Sequence, residues 1–230
     1  VLAAVPEQKI WFIPSNYIVA PEVTDIGKFV TKKIAYKGYK ALAHLHPNHF
    51  SPNIDILPLD LRDGKPFFLI RCTAFGATHD INKSGITDEL LFSLEKMLLP
   101  YGKIFITTER RLPAHFNKYV LNCKKNEMAH YIAFAKIFIG DSTSMSTEAA
   151  ILGTPSVEFD EYFYEIEQMI ELEQKYNLIH CFSTNQSQEL LAKISELVLM
   201  PDLKEIYAIR RQKLLDETID ISAFLIWFFE

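Results

Sequence analysis

Small polar residues follow a short apolar run near residue 140, and their types and spacing suit the binding of an anion. Residues 137–139 are typical of a strand buried on both faces. The run ends at Gly140, and a cluster of short polar side chains follows, namely Asp141, Ser142, Thr143, Ser144, Ser146 and Thr147. Helix-forming residues continue to Leu152, where Gly153 and Pro155 indicate the helix end. The free N–H groups and positive dipole at the start of such a helix attract phosphate.

Two interpretations of this turn are open on chemistry alone. In the first, the helix start binds phosphate oxygens with help from the hydroxyl groups. Glu148, one turn further on, then accepts a hydrogen bond from a ribose or sugar hydroxyl. In the second, Asp141 or Ser142 only caps the helix, which stabilises it by about 1 kcal/mol. The small residues would then serve only to let the helix pack closely on the sheet.

From Pro66 onward, apolar runs alternate with helical patterns. The predicted strands span residues 67–70, 103–107, 137–139, 157–159 and 178–182, with a further edge strand at 119–121. The predicted helices span residues 87–99, 127–135, 161–176 and 188–199, besides the helix that ends before Gly153 and a closing helix that starts at Pro201. This alternation predicts an α/β fold, a Rossmann-like parallel sheet with helices on both faces.

Ligands of such sheets bind outside the carboxyl ends of the strands, and this rule selects two further loops. The residues of these loops that could contact a ligand are Arg71, Thr73, His79, Thr108 and Arg110. Two arginines beside a helix start suit a diphosphate, because a guanidinium group pairs with phosphate oxygens in bidentate fashion. The alternative is that Arg110 and Arg111 are solvated loop charges. We favour this alternative for Arg111 and leave Arg71 open.

Composition narrows the class of protein. Hydrophobic residues make up 49% and charged residues 23% of the 230 residues, as in globular domains with a sizeable core. A net charge of −5 argues against nucleic acid as the main partner. Cys72, Cys123 and Cys181 form no CxxC or metal-ligand pair, which predicts reduced thiols in a cytoplasmic protein. No signal peptide or membrane-spanning run is visible in the sequence.

The first part of the chain is irregular, with one predicted strand at residues 9–14. It contains three histidines, His44, His46 and His49, and imidazole is a common metal ligand. A structural zinc site would need four ligands, and no cysteine is near. We therefore favour a loop beside an interdomain cleft and predict no metal site.

Residues 140–156 read Gly-Asp-Ser-Thr-Ser-Met-Ser-Thr-Glu-Ala-Ala-Ile-Leu-Gly-Thr-Pro-Ser. This segment resembles the donor-site signature of the superfamily of GT-B glycosyltransferases and UDP-N-acetylglucosamine 2-epimerases. A second segment, with Tyr-Lys-Gly-Tyr-Lys at residues 36–40, Leu-His-Pro at 45–47 and Phe-Ser-Pro at 50–52, is similar to a bacterial and archaeal branch of unknown function in that superfamily. The resemblance covers roughly residues 34–226.

The resemblance implies that the chain is the donor-binding, C-terminal half of a GT-B fold. Residues 66–230 would form the nucleotide-sugar-binding domain, and residues 1–65 would be a remnant of a missing N-terminal half and the linker. Ser142, Thr143 and Ser144 would face the diphosphate of a UDP-linked donor sugar, and Glu148 its ribose. No separate cofactor is expected. The implied activity is that of a sugar-nucleotide-dependent glycosyltransferase in surface-polysaccharide or cell-envelope glycan synthesis.

Several alternatives stay open. Thr143 and Ser144 stand where the superfamily pattern usually has glycines, which favours a non-catalytic binding or assembly module on the same scaffold. An epimerase-like enzyme is another alternative, as is a polyol-phosphate transferase of the type found in teichoic-acid synthesis. We assign no catalytic residue, and His79 is the only nearby candidate. The aromatic residues at 224–229 could touch a membrane or partner, or fold back onto the missing half.

Overall fold

The computed structural model describes residues 10–74 and 85–230, and most of the strands in this part of the chain belong to one central sheet. The strands are β1 (Ile18–Pro21), β2 (Lys33–Tyr36), β3 (Phe67–Cys72), β4 (Lys103–Thr108), β5 (Ile137–Gly140), β6 (Ser156–Phe159) and β7 (Ile179–Phe182). The helices are α1 (Leu42–Leu45), α2 (Asp88–Leu98), α3 (Met128–Phe134), α4 (Thr143–Leu152), α5 (Glu167–Gln174), α6 (Ser187–Leu199), α7 (Leu203–Glu217) and α8 (Ile221–Phe229). The central sheet has the order β4-β3-β5-β6-β7, and all its neighbouring strands are parallel.

The helices cover both faces of this sheet. The chain passes from β3 to β4 in one direction and then from β4 to β5, β6 and β7 in the other. With right-handed crossovers, α2 lies on one face, and α3, α4 and α5 lie on the opposite face. The contacts agree, because α2 touches α6, whereas α4 touches α3, α5 and α7. The prediction of a Rossmann-like parallel sheet with helices on both faces is therefore confirmed.

The reversal of strand order between β3 and β5 positions the functional site. In open parallel sheets, such a switch point leaves a crevice at the carboxyl ends of the two diverging strands. Arg71 on β3 is the register partner of Gly140 on β5, so the two strands end side by side. The loop after β3 and the loop after β5 therefore lie next to each other.

The hydrophobic core runs from the sheet into the segment that precedes it. All residues of β5 are buried, as its uninterrupted apolar run predicts. Tyr36, Tyr39, Leu42 and Leu45 belong to the same cluster of buried side chains as the sheet. Helix α1 contacts both α4 and α8, so the segment around residues 36–45 lies against the helix of the candidate site. The domain boundary at residue 65 stays a prediction.

The predicted strand at residues 9–14 is wrong where the structure describes it, because residues 10–12 are helical. Phe12 is buried and its ring lies 5.6 Å from that of Phe29, whereas Trp11 is 71% exposed. A four-residue apolar run fits one helical turn as well as a strand, so periodicity alone could not decide. The strands of this region are β1 and β2, which pair with each other in parallel.

Two other predicted elements differ from the structure. Residues 119–121 form no strand, since Val120 makes a single bridge to Ile106 and residues 114–119 form a 3₁₀ helix. The predicted closing helix is two helices, α7 and α8. The break follows from local capping, because the Asp220 carboxylate accepts a hydrogen bond from the backbone N–H of Ala223 at 3.0 Å and starts α8 as a separate helix.

Helix α8 is strongly apolar and partly uncovered. Ile226, Trp227 and Phe229 are each more than half exposed, whereas Phe224 packs on Tyr36 with the ring centroids 5.7 Å apart. In the part of the chain that the structure describes, no helix has the length and apolar character needed to cross a membrane. Contact of the terminal aromatic residues with a membrane or with a missing half stays a prediction.

Gly153 ends α4 in a left-handed conformation, with φ of 79°. A Cβ atom at this position would lie 2.8 Å from Cδ of Arg211. Arg211 cannot easily withdraw, because its Nε donates to the carbonyl oxygen of Ile151 at 2.7 Å. The glycine is therefore required both by the backbone angle and by the arginine that crosses the helix end.

Substitution of Gly153 and of Gly64 by alanine separates the effect of the backbone angle from that of the Arg211 side chain. Gly64 has nearly the same angle, φ of 78°, and nothing lies within 4 Å of an added Cβ. We expect Gly64→Ala to lower the free energy of unfolding by about 1–2 kcal/mol from backbone strain alone. Gly153→Ala should cost more, because the Arg211 side chain must also move. Equal losses in urea denaturation of the two variants would contradict the role given to Arg211.

Candidate functional site

The carboxylate of Asp141 lies in the crevice at the switch point and holds the protein's own backbone. It accepts hydrogen bonds from the backbone N–H of Thr73 at 2.7 Å and from that of Ile86 at 3.1 Å. The Thr73 hydroxyl in turn donates to the carbonyl oxygen of Asp141 at 3.3 Å. Asp141 thus ties the turn after β5 to the end of β3 and to the residues just before α2. Its side chain fixes the shape of the site, and a direct role toward a ligand stays a prediction.

Burial raises the pKa of Asp141 to about 6, although its hydrogen bonds from Thr73 and Ile86 favour the ionised form. The side chain is only 4% exposed. A carboxylate in such surroundings holds backbone amides strongly, but it pays a desolvation cost when it is ionised.

Two further residues predicted to contact a ligand, Thr108 and Arg110, are engaged with the protein itself. The Arg110 guanidinium donates to the Asp88 carboxylate at 2.7 Å and to the Ile86 carbonyl oxygen at 2.9 Å. Asp88 is the first residue of α2, so Arg110 anchors the start of that helix. The Thr108 hydroxyl donates to the Arg110 carbonyl oxygen at 2.7 Å. Contact of either side chain with a diphosphate stays a prediction.

Arg71 lies near the carboxyl end of β3. Its side chain is 16% exposed and pairs with Glu109 on the loop after β4. The Nε atom is buried and has no hydrogen-bond partner among the described residues. Thr73 follows two residues later and is held by Asp141 as described. His79 lies outside the described residues.

Among the described residues, no side chain caps the start of α4, although the sequence offers several residues that could provide a cap. Ser142 occupies the capping position but makes no capping hydrogen bond. Ser144 is exposed and Thr143 partly exposed, so both side chains point away from the core. The hydroxyl groups of the next turn are internal, since Ser146 donates to Glu158 and Thr147 donates to the carbonyl oxygen of Thr143 at 2.8 Å. Within residues 10–74 and 85–230, the first turn of α4 therefore faces outward and no side chain caps it.

Glu148 lines a cavity of about 240 Å³ beside this first turn. The other residues that line it are Lys40, Ala41, Ala43, His44, Ser144, Thr147 and Gln168. Burial raises the pKa of Glu148, and the neighbouring His44, whose Nε2 lies 3.6 Å from Oε1 of Glu148, acts in the opposite direction. Ser144 and Glu148 thus present a hydroxyl and a carboxyl group to one cavity, as their spacing of four residues on a helix predicts.

Sequence reasoning missed Lys40, His44 and Gln168 as residues of the site. Gln168 is buried on α5 and donates from Nε2 to the Thr147 hydroxyl at 3.1 Å. No pattern in the sequence indicates that α5 meets α4 in this way. Lys40 ends the Tyr-Lys-Gly-Tyr-Lys segment, and its resemblance to the superfamily branch was a signal that could have placed it at the site.

Glu158 is a buried acidic residue on β6, close to the candidate site. It is fully buried on β6, and burial raises its pKa well above the usual value, although Ser146 donates a hydrogen bond to it. The nearby Asp141 and Asp160 add to this effect. Glu158 contacts α4 through Ser146, whereas Ser144 and Glu148 line the cavity beside that helix.

The other histidines of the cluster hold the start of α8. His49 Nε2 lies 2.8 Å from Oδ1 of Asp220, and Asn48 donates to Oδ2 at 2.9 Å. The backbone N–H of Ala223 together with these neighbours lowers the pKa of Asp220. In residues 10–74 and 85–230, no group of three or more His, Cys, Asp or Glu side chains has the geometry of a metal site.

Comparison with solved structures gives the fold a wider context. The structure of S. aureus MnaA with UDP aligns with a TM-score of 0.58 and 12% identity over 87% of this chain and 54% of that chain. CalG4, the calicheamicin glycosyltransferase, aligns with a TM-score of 0.54 and 12% identity over 95% of this chain and 53% of that chain. A putative UDP-N-acetylglucosamine 2-epimerase from Listeria monocytogenes aligns with a TM-score of 0.53 and 11% identity over 81% of this chain and 49% of that chain.

The fold is that of the C-terminal half of a GT-B protein. The chain spans about half the length of the GT-B structures that it matches. No protein-family model and no curated protein sequence matches it. The resemblance found in residues 140–156 is thus supported by the three-dimensional structure, because the GT-B likeness covers most of the chain.

The surroundings of Asp141 predict a specific pH dependence. Since its folded pKa is about 6 and its usual value is 3.8, the folded protein holds this proton more tightly than the unfolded chain. Its contribution to stability is therefore greatest at low pH and falls as the pH rises from about 4 through 6. We expect the difference in free energy of unfolding, wild type minus Asp141→Asn, to increase by about 2 kcal/mol between pH 7 and pH 4.

Denaturant unfolding of both proteins at several pH values measures this difference, in which the contributions of titrating groups distant from Asp141 cancel. A difference that stays flat, or that decreases toward low pH, would mean that the hydrogen bonds from Thr73 and Ile86 outweigh burial.

Proposed function

We propose that this chain is the donor-binding half of a sugar-nucleotide-dependent glycosyltransferase that uses a UDP-linked sugar and acts in surface-polysaccharide or cell-envelope glycan synthesis. The observation that carries the proposal is the uncapped start of α4, which opens beside a cavity lined by Ser144 and Glu148. It lies next to the switch point of a parallel sheet, where ligands of such folds bind. The GT-B likeness adds weight, because one of the similar structures was solved with UDP.

The diphosphate would lie over the first turn of α4. The backbone N–H groups of residues 142–144 and the positive end of the helix dipole favour negative charge at that place. Arg71 stands at the end of the neighbouring strand, and its guanidinium would contact the diphosphate beside its ion pair with Glu109. These groups are fixed by the fold, so they would stabilise the charge that develops on a leaving diphosphate without having to rearrange.

The ribose would occupy the adjacent cavity of about 240 Å³. The Glu148 carboxylate can accept hydrogen bonds from the two neighbouring hydroxyl groups of the ribose. Because Glu148 is partly buried, each of these bonds is stronger than it would be in water. His44 lies near enough to Glu148 to orient it. No residue of the described chain is assigned as the catalytic base.

Ligand-induced thermal stabilisation tests the proposal. UDP at one hundred times its dissociation constant should stabilise the chain by about 2.7 kcal/mol and raise the melting temperature by several degrees. Glu148→Ala should abolish the shift, because the ribose loses its acceptor. Glu189→Ala removes an exposed carboxylate from the first turn of α6 and serves as the matched control, which should keep the shift.

Other outcomes separate the alternatives. A larger shift with CDP than with UDP would favour a polyol-phosphate transferase-like activity. No shift with any nucleotide would overturn the proposal and favour a non-catalytic binding module. Thr143 and Ser144, at positions that glycine usually occupies in the superfamily pattern, also favour that alternative. An unchanged shift in Glu148→Ala would place the nucleotide elsewhere.

A further inference from the structure

A second cavity lies at the amino edge of the sheet, opposite the candidate donor site. It has a volume of about 520 Å³, which is within the range of small-molecule pockets. Phe67 at the start of β3, Phe134 at the end of α3, Leu152 at the end of α4 and Leu203 at the start of α7 contribute its apolar walls. The length of the strands therefore separates this cavity from the uncapped start of α4.

The polar side chains around this cavity are almost all cationic. Five basic residues line it, namely Arg62, Lys65, Lys136, Lys204 and Arg211, and none of the described residues that line it is acidic. The chain as a whole carries a net charge of −5. The cavity is therefore a local positive region on a negative protein, and it favours anions.

Most of this positive charge is not neutralised within the protein. Arg62 pairs with Asp55 at 3.0 Å, and Asp63 lies near Lys65. Lys136, however, donates to the carbonyl oxygen of Val198 at 2.8 Å, and Arg211 donates through Nε to that of Ile151 at 2.7 Å. Neither of these two acceptors carries a charge.

Lys204 and Arg211 carry positive charges that no described carboxylate pairs with. Neither forms an ion pair with a carboxylate in residues 10–74 and 85–230. Burial lowers the pKa of Arg211, and no acidic neighbour counteracts it. A half-buried guanidinium without a counter-ion is costly, and an anion in the cavity would offset that cost.

We propose that this cavity binds an amphiphile that consists of an alkyl chain and a phosphate head group. The alkyl chain lies against the apolar walls formed by Phe67, Phe134, Leu152 and Leu203. The head group pairs with the terminal nitrogens of the Arg211 guanidinium and with the Lys204 ammonium group. Inorganic phosphate would lack the apolar contacts, and a neutral alkyl chain would leave the cations unpaired. This site is separate from the proposed donor site and does not depend on it.

Isothermal titration of the purified chain with octyl phosphate, below the concentration at which it forms micelles, tests the proposal. We expect saturable binding of one molecule per chain. 1-Octanol should bind at least ten-fold more weakly, and inorganic phosphate should give no measurable binding at the same concentrations. The absence of saturable binding of octyl phosphate, or equal binding of 1-octanol, would overturn the proposal.

Charge substitutions locate the site. Lys204→Glu should weaken binding of octyl phosphate at least ten-fold, whereas Lys96→Glu, at an exposed position on α2 that does not line the cavity, should leave it unchanged. Ala208→Glu places an acid in the lining at an exposed position and should also weaken binding ten-fold, with an unchanged melting temperature. Equal effects of Lys204→Glu and Lys96→Glu would show that binding follows net charge and not this cavity.

Discussion

The carboxylate of Asp141 is the contact on which the carboxyl edge of the sheet depends. It is the only side chain described above that joins three parts of the edge, because it lies after β5 and binds the backbone after β3 and before α2. Parallel strands that diverge at a switch point leave their loops without a shared hydrogen-bond ladder. A buried carboxylate that accepts two backbone N–H groups supplies the missing connection. The cost is desolvation of the charge, which is visible in the raised pKa.

This arrangement separates structural and ligand-facing roles within one short segment. Asp141 and Ser146 turn inward and satisfy buried groups, whereas Ser144 and Glu148 turn outward to a cavity that Thr147 also lines. The helical repeat explains why Ser144 and Glu148 line the same cavity, since residues one turn apart share a face. No described side chain caps the first turn of α4, and we propose that an anion binds its amides.

Much of the fold could be predicted, because buried parallel strands are continuous apolar runs and their helices are amphipathic. The strand at Ile137–Gly140 and the helix at Asp88–Leu98 follow from such patterns. The interactions of side chains far apart in sequence could not be predicted. Arg110 was expected to meet a ligand, but the sequence could not show that Asp88 lies 2.7 Å from it. In the same way, nothing in the pattern places His44 beside Glu148, since that contact depends on how α1 packs on α4.

A crystal structure of the 230-residue chain with UDP would test the central claim most directly. The account predicts diphosphate oxygens within roughly 2.7–3.2 Å of the backbone nitrogens of Thr143 or Ser144. It also predicts a ribose hydroxyl within hydrogen-bond distance of the Glu148 carboxylate. UDP bound at any other surface, with the first turn of α4 exposed only to water, would contradict the account.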